Sequence, residues 1–82
     1  MNNFTIVGKF KNIKQISPNN YIINILSTSP THKNINIPIR ISKNNFINKL
    51  KENDLLGISG TIDEADSNII FLATKIIWLP NK

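Results

Sequence analysis

Cysteine is absent from this chain of 82 residues, and its absence excludes several kinds of protein at once. The chain can have no disulfide framework, no zinc site built on thiolates and no thiol nucleophile. Its single histidine, His32, lies in a turn segment, and the scattered carboxylates do not have the spacing of metal ligands. A catalytic triad would need the same histidine, and nothing near it in the sequence orients the ring. We therefore expect no enzyme, no metal and no cofactor.

Long apolar runs are also missing. Apolar stretches are interrupted at Asn24, Ser59 and Lys75, so none approaches the roughly 20 apolar residues that a membrane helix requires. The first residues lack the basic region and the apolar run of a signal peptide. Since 82 residues enclose only one small core, we expect a single cytoplasmic domain over residues 1–82 that does not contact a membrane.

Acidic residues are few. Five of them stand against ten lysines and arginines, which gives a formal net charge of +5 and an isoelectric point near 9.8. Such a basic excess on a small domain is typical of proteins that bind nucleic acid. The chain is also rich in Asn, Ile and Lys, which AT-rich coding DNA favours, and that bias makes proteins basic without a functional cause. Charge alone leaves both interpretations open.

Alternation of apolar and polar residues with a period of two dominates the sequence and predicts strands. The predicted strands are Thr5–Phe10, Tyr21–Ser27, Ile35–Ile41, Leu55–Ile62 and Ile69–Leu79. The third is the most regular, with isoleucines at 35, 37, 39 and 41 expected to face inward. The second strand has Tyr21, Ile23 and Ile25 on the face expected to be core, and the fourth has Leu56, Ile58 and Ile62 on one face. Pro38 cannot donate a ladder hydrogen bond, so the third strand should lie at an edge or carry a bulge there.

The segments between these strands have turn or helix signals. We expect loops over 12–20, 29–34 and 63–68, which are rich in Asn, Ser, Pro and Asp. From Ser42 to Asn53 the apolar residues Phe46, Ile47 and Leu50 have a helical spacing. Glycines in the fourth strand indicate a bend or a bulge. The predicted fold is therefore all-β, a five-stranded OB-type barrel with one short α-helix between strands three and four.

Three stretches carry a resemblance to a known family. Residues 3–10 are an apolar run that ends in Val-Gly, a lysine and a phenylalanine. Residues 50–60 contain a helix end, a turn and a strand with two glycines, and residues 76–80 read Ile-Ile-Trp-Leu-Pro. In this order and spacing they resemble the bacterial single-stranded DNA-binding protein family over essentially the whole chain. The chain looks like a short member that lacks the family's acidic C-terminal tail.

The resemblance implies sequence-independent binding of single-stranded DNA by a basic groove, in replication, recombination or mobile-element maintenance. Binding of RNA instead of DNA is a further possibility, which is disfavoured because RNA-binding relatives of this fold cluster aromatic residues on strands two and three. The resemblance also implies a homo-oligomer, a dimer or a tetramer, in which first strands pair. Thr5 and Val7, outward on that strand, would lie at this interface.

Candidate nucleic-acid contacts are the outward or loop residues that are basic, amide-bearing or aromatic. They are Lys9, Lys11, Lys14, Asn24, Lys33, Arg40, Phe71 and Lys75. Arg40 projects from an isoleucine-lined strand, where it can pair with phosphate and stack on a base. Phe71 shares its face with Lys75 in a regular strand, but a bulge would turn the ring inward. Each lysine is equally explained as an ordinary solvated charge.

A second hypothesis is an OB module that binds replication proteins, with weak or no affinity for nucleic acid. The short loop at 63–68 is acidic and would repel phosphate. The third strand has isoleucines where stacking rings are expected in a single-strand binder. An accessory protein of the primosomal replication protein N type fits this length and this pattern.

Overall fold

Five strands and one 3-10 turn make up the structure, a computed structural model that describes residues 2–28, 35–44 and 47–80. The strands are β1 (Asn2–Ser17), β2 (Asn20–Ser27), β3 (Asn36–Ser42), β4 (Leu55–Ala65) and β5 (Asn68–Trp78). They close into a barrel in the order β1-β2-β3-β5-β4, in which β4 returns to β1. This is the predicted five-stranded OB arrangement, which is confirmed.

Strand β1 holds the two halves of the barrel together. Its first half, from Asn2 to Lys9, pairs with β4, and its second half, from Gly8 to Ser17, pairs with β2. One register shift in the second half leaves Lys11 as an extra residue between two ladder pairs. A bulge of this kind bends and twists a strand, which lets one long strand follow a small closed barrel.

The core consists of inward side chains from all five strands. Those with 7% or less of their surface exposed are Phe10, Ile23, Ile25, Ile39, Ile41, Leu56, Ile58 and Ile76. The alternation of β2, β3 and β4 therefore predicted the buried face correctly. Ile35 is an exception, because it precedes β3 and is 45% exposed.

A second bulge changes the pattern of β5. Ser59 pairs with Lys75 while Gly60 pairs with Ala73, so Thr74 is the extra residue opposite the glycine. The Thr74 hydroxyl donates a 3.3 Å hydrogen bond to the Ser59 carbonyl. Because a bulge reverses the alternation, Phe71 and Ala73 before it pack against the core, as does Ile76 after it. The bulge expected near the glycines is confirmed.

Two predicted loops are mostly strand. Residues 12–17 continue β1, so only two residues separate it from β2, and Lys14 lies in a ladder rather than in a loop. The hairpin between β4 and β5 turns at Asp66 and Ser67, which have φ angles of 50° and 68°. Two consecutive left-handed residues match the right-handed twist of paired strands. The polar residues that suggested loops are the solvent side of these strands.

The structure corrects the prediction of an α-helix between strands three and four. In the described residues of this segment the helical structure is one 3-10 turn, Ile47–Lys49. Leu50 after it packs against the core, and Asn53 has a φ of 75°, a left-handed conformation that asparagine adopts more readily than most residues. Two backbone hydrogen bonds then tie this segment to β1, from Asn53 N to Phe10 O (2.7 Å) and from Phe10 N to Asp54 O (2.8 Å). These bonds hold the segment in place without a helix.

His32, Lys33 and Phe46 lie outside the described residues. Within the described ranges, no helix has the length and apolar character needed to cross a membrane.

Replacing Gly60 by alanine should destabilise the barrel. A Cβ at this position would run into the backbone carbonyl of Leu72, which cannot move without breaking the ladder. We expect the free energy of unfolding to fall by about 2 kcal/mol or more, as for other overpacked sites. Gly57→Ala is the matched control, because its Cβ meets only side-chain atoms of Ile77 and Leu79, at 3.3 Å or more. Urea unfolding of both variants tests this, and equal loss in the two would contradict it.

Candidate nucleic-acid interface

The outer surface of β1, β2 and β3 is built by the same alternation that fills the core. Inward residues pair across the three strands, for example Ile13 with Ile23 and Ile23 with Ile39. The residues between them must therefore point outward, and the register sets them in three cross-strand rows. These rows are Lys14, Ile22 and Arg40; Asn12, Asn24 and Pro38; and Lys9, Leu26 and Asn36. We call these residues the nine-residue face.

The charge of the nine-residue face has one sign. Lys9 and Lys14 supply cations on β1, and Arg40 supplies one on β3. All three residues are exposed, and no member of the face carries a carboxylate. Strands in a sheet are about 4.8 Å apart, so β1 and β3 place these cations on the two sides of a strip roughly 10 Å wide. Such an arrangement attracts a polyanion.

Amide side chains cross the middle of the face. Asn24 Nδ2 donates to Asn12 Oδ1 at 2.7 Å, and Asn36 Nδ2 donates to Asn24 Oδ1 at 3.1 Å. One asparagine from each strand therefore forms a continuous chain, which we call the asparagine ladder. Sequence reasoning found Asn24 and missed Asn12 and Asn36. The sequence signal that could have predicted the ladder is that each of the three neighbouring strands has an asparagine at an outward position.

The apolar members of the face are aliphatic. Ile22 and Leu26 lie on β2, one on each side of Asn24, and both are partly buried. No residue of the nine-residue face is aromatic. A ligand with flat rings would therefore contact aliphatic side chains here rather than stack on a phenyl ring.

Phe71 takes the inward orientation that a bulge was expected to give it. The bulge at Thr74 separates its face from that of Lys75, and Phe71 packs against the core. Its ring meets Phe4 edge to face, with centroids 5.1 Å apart and planes at 75°. Phe71 is therefore partly buried and supports the barrel through this contact, and its role as a base-stacking ring stays a prediction.

Two predicted lysines lie off the nine-residue face. Lys11 is the bulged residue of β1, and its Nζ lies 3.3 Å from Glu52 Oε2 in an ion pair. Lys75 pairs with Ser59 of β4, which pairs in turn with Thr5 of β1. It therefore lies on the outer surface of β1, β4 and β5. Lys33 is outside the described residues.

Lys75 and Arg40 line the same groove, although they lie on different surfaces of the barrel. Strands β3 and β5 pair only at Ile39–Phe71 and Arg40–Leu72, and beyond these pairs they diverge. The opening is a cleft of about 650 Å³, with Lys43 and Lys75 among the residues that line it. A second cleft of about 450 Å³ is lined in part by Arg40. The two clefts share the lining residues Ile41, Ser42 and Ala73, so they form one groove along the seam.

Thr5 and Val7 lie on a different surface, as expected for outward residues in the first half of β1. Val7 is 44% exposed and stands in a row with Gly57 and Ile77, which is 46% exposed. A hollow of about 200 Å³ lies over this apolar row, and Thr5, Ser59 and Lys75 line its polar side. Pairing of β1 with β2 starts only at Gly8, so among the described strands the first half of β1 has a neighbour on one side only.

The order of strands and the position of the basic face define a barrel of the OB class. No family model matches the chain, and no curated protein matches it either. Among solved structures it is similar to the N-terminal domain of the PriB protein from Thermoanaerobacter tencongensis, which was solved as a dimer. The two superpose with a TM-score of 0.67 over 98% of each chain, at 20% sequence identity. This likeness shows the fold, and the resemblance to the single-stranded DNA-binding family stays a prediction.

The contact between the rings of Phe4 and Phe71 should stabilise the fold, and we expect neither ring to contact a ligand. Edge-to-face pairs contribute about 0.5–1.5 kcal/mol beyond the burial of their area. We expect a coupling free energy in this range from a double-mutant cycle of Phe4→Leu and Phe71→Leu, measured by urea unfolding. Folded Phe71→Leu should keep its affinity for oligo-dT. A large loss of affinity with little loss of stability would instead make Phe71 a stacking ring.

Proposed function

We propose that this protein binds single-stranded nucleic acid, chiefly DNA, through the nine-residue face, and that it acts in replication, recombination or mobile-element maintenance. The observation that carries the proposal is the set Lys9, Lys14 and Arg40 around an amide-lined strip with no carboxylate. Lys and Arg on such a surface displace condensed counterions from a nucleic-acid backbone. The likeness in fold to a PriB domain supports this class of function.

The apolar residues favour a single strand over a duplex. In a duplex the bases are stacked inside, and a flat protein surface meets only phosphates and groove edges. In a single strand the bases are unstacked, so their faces and the sugars can lie on Ile22 and Leu26. Sequence-independent binders commonly use aromatic rings for this contact, at about 1–3 kcal/mol per base. We expect weaker binding per base here, because the rings are replaced by aliphatic side chains.

The seam between β3 and β5 extends the route that a longer strand can take. Arg40 lies at the boundary between the nine-residue face and the groove, and Lys43 and Lys75 continue the positive charge beyond it. No carboxylate is among the described residues that line either cleft. A strand that crosses the face would leave it past Arg40 and enter the groove. In this route Lys75 contacts phosphate although it lies on another surface.

A homodimer is part of the proposal. The first half of β1 combines an edge that no described strand covers, although the Thr28 hydroxyl donates to the Val7 carbonyl at 3.3 Å, with the apolar row of Val7, Gly57 and Ile77. An open edge and an exposed apolar row together suit pairing with a second copy of the same chain. The similar PriB domain was solved as a dimer. The interface would leave the nine-residue face open to ligand.

The second candidate is a protein-binding role, for which the β4–β5 hairpin is the favouring observation. Asp63, Glu64 and Asp66 are exposed near its tip, and Ile69 beside them is 68% exposed. An acidic projection with one exposed apolar residue suits a basic protein partner better than a polyanion. Failure to bind any nucleic acid at low salt, together with a replication protein that co-purifies, would favour this role.

Affinity for oligo-dT should fall steeply with salt. Each phosphate contact on a single strand contributes about 0.7 to the slope of log K against log salt, so three cations predict a slope near −2. Arg40→Ala and Lys14→Ala should each weaken binding and reduce the slope by about 0.7. Fluorescence titration across a salt series measures both quantities. The matched control is Lys49→Ala, which removes an exposed cation from the 3-10 turn, outside the face.

Binding that is absent at low salt, or indifferent to salt, would contradict the proposal. An equal effect of Lys49→Ala and Arg40→Ala would also contradict it in part, because only net charge and not the nine-residue face would then matter.

The dimer should dissociate when a charge enters the apolar row. Val7→Lys places an ammonium group between two copies, where it would lose water without gaining a partner. Sedimentation equilibrium should show a dimer for the unchanged protein and a monomer for this variant. Ile69→Lys is the control, since it adds the same charge at a more exposed residue on the β4–β5 hairpin. A monomer before any substitution would refute the proposed interface.

A further inference from the structure

We propose that the asparagine ladder makes the nine-residue face prefer bases with a carbonyl oxygen at position 4 of a pyrimidine or position 6 of a purine, which are thymine, uracil and guanine, over cytosine and adenine, which carry an amino group at that position. This inference rests on the proposed function and names the kind of base that the face accepts. It concerns discrimination between bases rather than overall affinity. It therefore departs from the sequence-independent binding that the resemblance implies.

The ladder has a direction. Both of its hydrogen bonds run from β3 toward β1, from Asn36 to Asn24 and from Asn24 to Asn12. The amide of Asn12 is therefore the final acceptor, and its own Nδ2 hydrogens have no acceptor among the described residues. At the opposite end the carbonyl oxygen of Asn36 has no donor among the described residues. The β1 end of the ladder thus presents donors, and the β3 end presents an acceptor.

Neighbouring side chains strengthen this difference. Lys9 and Lys14 lie on the outward positions of β1 on the two sides of Asn12. Ammonium groups donate and cannot accept. The β1 side of the face is therefore a cluster of donors with two positive charges. The ladder bonds hold the amide of Asn12 in one orientation, so the cluster is ordered before a ligand arrives.

Base chemistry then decides which ligand fits. Thymine and uracil present the acceptor O4 and guanine presents the acceptor O6, whereas cytosine and adenine present the amino donors N4 and N6 at the corresponding positions. A base that rests on Ile22 or Leu26 would bring this edge to the ladder. A carbonyl oxygen would accept from Asn12 Nδ2, whereas an amino group there would face another donor and leave both unpaired.

The direct test compares oligo-dU with oligo-dC of equal length, at a pH above neutral where cytosine N3 carries no proton. The two bases differ at position 4, which bears oxygen in uracil and an amino group in cytosine. We expect dU to bind about three- to tenfold more tightly, the worth of one exposed hydrogen bond. Fluorescence anisotropy with end-labelled oligonucleotides at constant salt measures the ratio.

Asn12→Asp tests the role of the ladder itself. A carboxylate at position 12 still accepts from Asn24 but offers no donor, so the preference should invert toward dC. Asn48→Asp is the matched control, because it makes the same charge change at an exposed residue of the 3-10 turn, which lies off the face and outside the first half of β1. The control should lower both affinities together and leave their ratio unchanged. Asn12→Ala should bring the ratio close to one.

The outcomes separate this inference from the proposed function. Tight binding with equal affinity for dU and dC, or a preference for dC, would overturn the base preference and leave the proposed function standing. A preference for dU that survives Asn12→Asp would overturn the role of the ladder. Failure to bind either oligonucleotide at low salt would overturn the proposed function, and the base preference with it.

Discussion

Two residue pairs, Ile39–Phe71 and Arg40–Leu72, close the barrel, and the rest of the structure depends on them. Every other strand contact is a long antiparallel ladder that could form in an open sheet. The short parallel pairing turns this sheet into a closed cylinder and brings the inward isoleucines together around Ile39, which is fully buried. It also fixes Arg40 at the point where the outer face meets the groove. The stability of the barrel and the position of the candidate site therefore depend on the same contact between β3 and β5.

Much of the core could be predicted because a slip of one residue would expose a whole apolar face, so the register is strongly determined. Ile23, Ile25 and Ile39 were predicted in this way and are buried. The orientation of Phe71 was left open, because it depends on a bulge at Thr74, opposite Gly60 on another strand. The length of β1 was underestimated for a related reason, since polar outward residues and a bulge at Lys11 break the alternation that marks a strand.

The candidate site was predicted in part. Lys9, Asn24 and Arg40 were found as outward residues, and the structure places them on one face together with Lys14, which was expected in a loop. The ladder was not found, because its bonds depend on which residue of β1 lies opposite which residue of β2. Lys75 was also predicted as a nucleic-acid contact, and closure of the barrel places it on another surface, that of β1, β4 and β5. Which side chains lie on the same surface depends on how segments distant in sequence pair, and a local sequence pattern does not contain this information.

The direction of the asparagine ladder has a consequence for a symmetric dimer. A two-fold axis that pairs the first halves of β1 would relate two copies of the face by a half-turn. A continuous strand has a 5′ and a 3′ end, so if it ran straight from one copy to the other it would meet the second ladder in reverse. Both copies can read the same strand in the same sense only if the strand makes a U-turn between them. The dimer would then favour looped strands or two separate antiparallel segments over one short straight strand.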